Sequence, residues 1–409
     1  MEFDESRLVL NPQLQIKHVR ENGSITAITV RAPVKGESMR VTKIPRSTDP
    51  QMFTALLIHS GTGTLDAANF TDAERSRLAE MGVLLAQQQV SSPVSFSCDL
   101  NNPPIDLIPA RAQRTARPFQ DLSDLVVNPT LRHLGIEGPT PAMRGHVKLQ
   151  NPFRTDRSWI SVDDPVTGVP CLYSYPQQIA DEVEALRPGQ PIRRTLAPEI
   201  SECFYRAGVT ESSADSDRPR DRCRRDRAAA RAALVAKRYV VLPHMLPPFQ
   251  LGAIRRYYQA LITEGFLPFG DEEWPYRFFS GRDPLAYCFH EQLKSLVSDI
   301  AGQPVKASFS FFASYHPGST LPAHRDRDQC EWALSLQIDQ SPEADTLAWP
   351  LYLQPPGADQ PTPIFTGIGD GTLYYGREVA HYRDALTTAG YGSFWFLFYV
   401  PENFSGSLD

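Results

Sequence analysis

The spacing of apolar residues in the C-terminal half predicts helices first and strands afterwards. Over 249–266 the positions Leu251, Ile254, Tyr258, Leu261 and Ile262 recur at helical intervals. A second helix is predicted over 285–301, carrying Leu285, Phe289, Leu293, Leu296, Val297 and Ile300 and stopped by Gly302 and Pro304. Strand signals then dominate, over 305–315, 331–338, 348–354, 371–375 and 393–400, with Pro, Gly and Asp turns between them. Two helices before a run of short strands predict an α+β fold, a β-sandwich or barrel with helices backing one sheet.

The N-terminal half is patterned differently. Residues 1 to 45 read as short strands, one over 24–30 between Asn22-Gly23 and Pro33. A helical run over 52–58 ends near Gly61. The capping box Thr71-Asp72-Ala73-Glu74 opens another helix, with Leu78, Met81, Leu84 and Leu85 on it. This helix–turn–helix, with 83–85 leading away, resembles the small winged-helix modules of some peptide-modifying systems; an ordinary helical pair is the alternative. Gly61-Thr62-Gly63 has Asp66 where a dinucleotide loop needs its third glycine, and reads as a turn. From 91 to 198 the chain is rich in Pro, Asn, Asp and Arg, which predicts a loop-rich extension. A polar stretch over 211–217 precedes an arginine-dense run over 218–238, read as a solvated helix joining two halves. The resulting organisation is a small α/β module over 1–90, an extension and linker over 91–227, and a β-rich domain over 228–409.

Composition narrows the partners. The chain of 409 residues has 41% hydrophobic content, a net charge of -6 and a pI near 5.9. Such a balance gives no electrostatic reason to expect nucleic acid or an anionic membrane as partner. The first twenty residues contain no apolar signal segment, and no run is long enough to span a membrane. The six cysteines are widely separated and form no tight metal spacing, so they read as buried thiols in a reducing cytoplasm. Thirty-six prolines predict many irregular connections.

Candidate chemistry lies in two segments, SYHPGSTLPAHRDRD over 314–328 and YYGREVAHYRDAL over 374–386. The first holds His324-Arg325-Asp326, and the second supplies His381, 57 positions past His324. In an extended segment residues two apart share a face, so His324 and Asp326 can reach one ion while Arg325 and Arg327 face away. Two imidazoles and one carboxylate, held facially, leave positions open on a non-haem Fe(II) centre.

From about 238 to 400 the chain resembles the Fe(II)/2-oxoglutarate-dependent dioxygenases, especially the prolyl-hydroxylase-like branch. The resemblance rests on Tyr315-x-x-Gly318-x-x-x-x-x-His324-x-Asp326, on His381, and on the strand Phe394-Trp395-Phe396-Leu397-Phe398. It implies a C-terminal double-stranded β-helix, or jelly roll, with His324, Asp326 and His381 as the catalytic metal ligands. The implied cofactors are Fe(II), 2-oxoglutarate and O2. Because the carboxylate ligand is present as Asp326, hydroxylation or desaturation is expected rather than halogenation.

One departure concerns the co-substrate. Where many relatives carry a Lys or Arg to clamp 2-oxoglutarate, this chain has Tyr391. Arg383, on the same face as His381 if the segment is extended, is the nearest replacement, with Tyr315 as a further hydrogen-bond donor; an outer ion pair of Arg383 with Asp384 or Glu378 is the alternative. Trp332, Trp349, Tyr374, Tyr375 and Trp395 are candidates to line a pocket or fill the core. The expected substrate is an amino-acid side chain in a peptide or natural-product intermediate. The competing readings are a hydroxylase or desaturase of a free small molecule and a non-catalytic jelly-roll scaffold.

Overall fold

The structure, a computed structural model, describes residues 8–408 apart from 12–13, 22–23, 33, 35–39, 63–69, 87–93, 101–124, 136–151, 154–156, 166, 193–195, 213–216, 271–273, 282 and 389. The turn expected at Asn22-Gly23 and most of the polar stretch over 211–217 lie outside the described residues, as does Gly63; Gly61 and Thr62 of the turn expected there instead close the helix that ends at Thr62. Contacts cluster into two units: Met1–Val94 with Ala142–Asn151 and Tyr257–Phe279, and Ser95–Pro141 with Pro152–Arg256 and Ser280–Asp409.

In the first unit, strands Gln15–Glu21, Ser24–Ala32 and Arg40–Pro45 form an antiparallel sheet. Ile28, Val30 and Ile44 pack with Met52, Phe53 and Leu56 of helix Pro50–Thr62 and with Leu78 of helix Asp72–Glu80. The capping box forms as its sequence predicts: the Glu74 amide donates to Thr71 Oγ1 at 3.3 Å, and the Thr71 amide donates to Glu74 Oε2 at 2.8 Å. After the second helix the chain enters strand Leu84–Ala86, which pairs back with Leu8–Leu10. The hairpin a winged helix would need after its last helix is not found among the described residues.

The second unit holds the candidate residues. From Asp217 on, the elements in chain order are α1 (Asp217–Lys237), β1 (Tyr239–Leu242), α2 (Pro248–Thr263, which begins in this unit), β2 (Arg277–Gly281, which ends in it) and α3 (Pro284–Ala301). The strands β3 (Val305–Tyr315), β4 (Leu321–His324), β5 (Trp332–Ser341), β6 (Leu351–Gln354), β7 (Thr362–Ile364), β8 (Gly371–Tyr375), β9 (Ala380–Arg383) and β10 (Tyr391–Pro401) follow. They form one sheet in the order β1-β8-β5-β10-β3-β2 and a second in the order β4-β9-β6-β7. All the pairings resolved within these sheets are antiparallel. Leu351, Leu353 and Ile364 of the smaller sheet share a buried cluster with Ala333, Tyr374, Phe394 and Phe396 of the larger, so the two sheets face each other as in a jelly roll.

Strand periodicity separates the site from its support. In β10, Phe394, Phe396 and Phe398 join the cluster between the sheets, while Trp395 and Tyr399 point to the opposite face. There Trp395 meets Phe289 of α3 at 5.2 Å, and the Tyr399 hydroxyl donates to the His290 carbonyl at 3.0 Å. Helix α3 is fixed at both ends: Asp283 accepts from the Ala286 amide at 2.9 Å, and Gly302 takes a left-handed conformation (φ 77°) that a side chain disfavours.

Residues 91–227 carry more regular structure than their composition suggests. Strands Arg132–Gly135, Ser158–Asp163 and Pro170–Tyr175 form an antiparallel sheet, and Pro170–Tyr175 is buried throughout. Phe96 stacks on Trp159 and meets Phe289 edge-on, so this segment packs into the same core as α3. Gln250 of α2, itself buried, donates to the Leu172 carbonyl at 3.0 Å.

His290 gives this core a pH signature. It is fully buried, its Nε2–H donates to the Phe398 carbonyl at 2.7 Å, and burial, opposed only by that bond, pushes its pKa down from 6.5 to about 3. Between those values the unfolded chain binds a proton that the folded chain refuses, so stability is full above pH 6.5 and declines as pH falls towards 3. Denaturant titrations at pH 7 and pH 4.5 should show His290→Gln losing roughly 2–3 kcal/mol less on acidification than the wild type.

Candidate metal centre

Strand β4 ends on His324, which sits directly opposite His381 in the β4–β9 pairing, with the ring centroids 4.2 Å apart. A register irregularity between Leu321 and His324 lets Leu321 pair with Arg383 while the two histidines still meet. Beyond β4 the chain leaves the sheet, and the Asp326 amide donates to the Gly376 carbonyl at 2.9 Å. That bond swings the carboxylate towards both imidazoles. The expected trio therefore comes together, with one potential ligand atom from each residue within 4.8 Å of the others.

In both histidines a backbone carbonyl fixes which ring nitrogen carries the proton. His324 Nδ1 lies 2.8 Å from the Pro322 carbonyl, and His381 Nδ1 lies 3.0 Å from that of Val379. A carbonyl only accepts, so each Nδ1 carries the proton and each Nε2 keeps its lone pair. Those Nε2 atoms lie 3.7 Å (His324) and 3.6 Å (His381) from Asp326 Oδ1. The gaps are too long for hydrogen bonds. They match atoms sharing a first-row ion at about 2.0–2.2 Å each, which lie roughly 3–4 Å apart.

The electrostatics point the same way. Burial pushes the Asp326 carboxyl up to about 7, against the pull of Arg327, and Asp326 Oδ2 is buried without a hydrogen-bond partner. Burial, then His324, pushes His381 down to about 4, so its imidazole is neutral. A carboxylate with a buried, unpartnered oxygen, facing two imidazole lone pairs, fits a divalent cation, and this donor set suits Fe(II).

Arg383 lies two residues beyond His381 on β9, and both are buried, as alternation along an extended strand predicts. Its guanidinium lies over the rings of Phe394 (4.4 Å) and Trp349 (4.7 Å), and Nη1 donates to the Trp349 carbonyl. Its Nε has no partner, and no carboxylate pairs with it among the described residues. Burial pushes its pKa down to about 10, with Tyr315 and Tyr374 opposing. The outer ion pair considered for Arg383 does not form; Glu378 pairs with Arg238 at 3.4 Å instead.

The remaining candidates divide. Tyr315 is buried and packs against Trp349 at 5.3 Å, beside the guanidinium. The Tyr391 hydroxyl donates to Asp339 Oδ2 at 3.0 Å, and Asp339 Oδ1 takes Arg255 at 2.7 Å. Tyr374, read only as a pocket or core aromatic, is central: its ring meets His381 at 4.9 Å, and burial, then Asp326, raises its phenol well above 10. Trp395 faces α3, and Tyr375 lies under Arg238.

An aromatic wall went unread in the sequence. Phe309 stacks on Phe398 at 4.5 Å and Phe311 on Phe396 at 4.7 Å, both half-buried on β3, with Arg327 over Phe309 at 5.2 Å. Alternation of Phe309, Phe311, Ala313 and Tyr315 was the available signal, obscured by Phe312 on the opposite face.

No protein-family model matches the sequence, and no curated protein matches it. Solved structures do match. A 2OG-Fe(II) oxygenase family oxidoreductase from Burkholderia pseudomallei is 15% identical over 44% of this chain and 92% of its own, with a TM-score of 0.36. A Pseudomonas putida prolyl-4-hydroxylase is 17% identical over 42% of this chain and 98% of its own, also at 0.36. HygX from Streptomyces hygroscopicus, solved with nickel, 2-oxoglutarate and hygromycin B, is 14% identical over 42% and 86%, at 0.34. No helix among the described residues is long and apolar enough to cross a membrane.

Gly376 tests the geometry of the trio. A Cβ there would lie 2.4 Å from Asp326 Oδ2 and 2.6 Å from the Cys330 carbonyl, so the carboxylate occupies space only glycine leaves free. Gly376→Ala should weaken Co(II) binding by about ten- to a hundred-fold, with the far-ultraviolet circular dichroism of the metal-free protein unchanged; calorimetric titration checks it.

Proposed function

We propose that this chain is an Fe(II)- and 2-oxoglutarate-dependent oxygenase that hydroxylates an unactivated C–H of an amino-acid residue in a peptide or natural-product intermediate. The observation that carries the reading is a cluster of three metal donors, His324, Asp326 and His381, with a buried guanidinium that has no anionic partner two residues along β9 from His381. His324, Asp326 and His381 hold the metal. Arg383 receives the far carboxylate of 2-oxoglutarate, which supplies the anion its environment lacks. Tyr315 stands beside that carboxylate as a hydrogen-bond donor, and the high phenol pKa of Tyr374 keeps it neutral between the guanidinium and the metal ligands.

When bound, iron and 2-oxoglutarate supply the oxidising power: one O2 is consumed, 2-oxoglutarate leaves as succinate and CO2, and the substrate C–H becomes C–OH. The protein's part is to position and to exclude water. Trp349, Phe394 and Tyr315 close the space around Arg383, so the anion is held in a low-dielectric pocket. Phe309 and Phe311 offer an apolar surface for the substrate body, and Arg327 marks its rim. In this reading residues 228–409 carry the chemistry. Arg383 also weighs against the scaffold alternative, since a buried cation without an anionic partner is a cost that a non-catalytic jelly roll has no reason to keep.

Anaerobic addition of Fe(II) and then 2-oxoglutarate should give the weak visible charge-transfer band of the chelate. His381→Ala should abolish the band. Arg383→Leu should leave Fe(II) binding intact and weaken 2-oxoglutarate by at least about ten-fold, the loss of a charge-assisted pair. Wild-type protein that retains no iron would refute the assignment.

A further inference from the structure

Of the three candidate donors, His324 is the one that meets solvent. Its side chain is 40% exposed, against 11% for Asp326 and 3% for His381. The centre is therefore approached past the end of β4, where the chain runs on through Arg325, Asp326 and Arg327. Both arginines are exposed, and each is anchored by something other than an anion: Arg327 lies over the Phe309 ring at 5.2 Å, and Arg325 Nε donates to the Glu378 carbonyl at 3.0 Å.

The acids around this mouth are engaged elsewhere. Glu378 pairs with Arg238 at 3.4 Å, Arg377 takes Asp328 at 3.1 Å and Glu331 at 2.9 Å, and the Asp326 carboxylate is turned to the two imidazoles. Among the described residues, Arg325 and Arg327 therefore stand without an ion-pair partner, in a chain whose net charge is -6. An arginine in water is ordinary by itself. What distinguishes Arg327 is its place, one residue past a candidate metal donor and at the end of the aromatic wall, where Phe309 and Phe311 stack on Phe398 and Phe396 with their planes tilted by only 15° and 22°. Lying over an aromatic face, the guanidinium keeps its planar fork of donors free for a carboxylate.

We infer that the substrate of this centre is an apolar carboxylate, whose stem lies along Phe309 and Phe311 and whose carboxylate pairs with Arg327. The inference rests on the oxygenase reading, which is what makes the bound molecule a substrate. Charge complementarity selects the anion, because the unpaired cations stand on the open side of the metal donors. The parallel rings select an apolar stem, and the planar fork of a guanidinium favours a carboxylate over a neutral amide. Arg325, held by the Glu378 carbonyl, adds to the positive field at the mouth without being fixed on the wall. In a peptide the matching group is an acidic side chain or the C-terminal carboxylate. Arg327 is thus a specificity-determining residue.

The test uses the full-length protein loaded with Co(II) and saturated with 2-oxoglutarate, which keeps Arg383 from competing for the probes. These are 3-phenylpropionate, its neutral counterpart 3-phenylpropanamide, and phenethyl phosphate. Co(II) uptake is titrated first, and protein that takes up none refutes the oxygenase reading and this inference with it. In the loaded protein the carboxylate should bind about three- to five-fold tighter than the amide, the size of a solvent-exposed ion pair. Its protons should be relaxed by the Co(II), and the preference should shrink in high salt. Arg327→Gln should abolish the preference and Arg327→Lys should keep part of it, with thermal melting verifying that both variants fold. Absent or equal binding of acid and amide, a preference that survives in Arg327→Gln, or a bound carboxylate that the Co(II) does not relax would each overturn the inference and leave the metal reading intact. Phosphate bound more tightly than carboxylate, and lost in Arg327→Gln, would assign the mouth to phosphate esters and overturn it equally.

Discussion

The cross-strand opposition of His324 and His381 is the constraint on which the candidate site depends. Two imidazoles at facing positions of an antiparallel pair lie within a few ångströms of each other whatever their neighbours do. The backbone then needs only to hold each Nδ1–H and to bring in one carboxylate. Pro322 and Val379 perform the first task through carbonyls two residues upstream. The Asp326 amide bond to Gly376 performs the second, and it works because position 376 has no side chain.

Around that pair the fold carries charges it does not neutralise. Asp326 keeps an unpartnered oxygen, and Arg383 keeps an unpartnered nitrogen, in a space otherwise filled by Tyr315, Trp349, Tyr374 and Phe394. Each is destabilising on its own, since burying an uncompensated ion costs several kcal/mol. In the proposed reading a cation at Asp326 and an anion at Arg383 would answer these charges, and the aromatic core would keep water from competing for either.

The trio was legible because its spacing carries structural meaning. His-x-Asp places two donors within reach of one ion, and the side of Arg383 follows from its two-residue offset from His381. The route by which Asp326 arrives was not legible, since the strand stops at His324 and the carboxylate is aimed by a backbone bond to a residue fifty positions away (326 to 376). Tyr374 read as one aromatic among five because nothing local distinguishes a tyrosine beside a candidate site histidine from one in a core. The segment 158–175 read as loop because its strands are short and separated by Pro and Gly; Trp159 becomes structural only through packing with Phe96, distant in sequence, and with Phe153. Local pattern also undercounted β4, β7 and β9, none longer than four residues and all stabilised by pairing rather than propensity.

Alternation in the larger sheet lets one scaffold serve two surfaces. In β10 every second residue faces the site and the others face the helices, so changes on one side need not disturb the other. At the sheet's edge the same logic operates within the plane. There β8 is held between β1 and β5, and it carries Tyr374, whose ring meets His381.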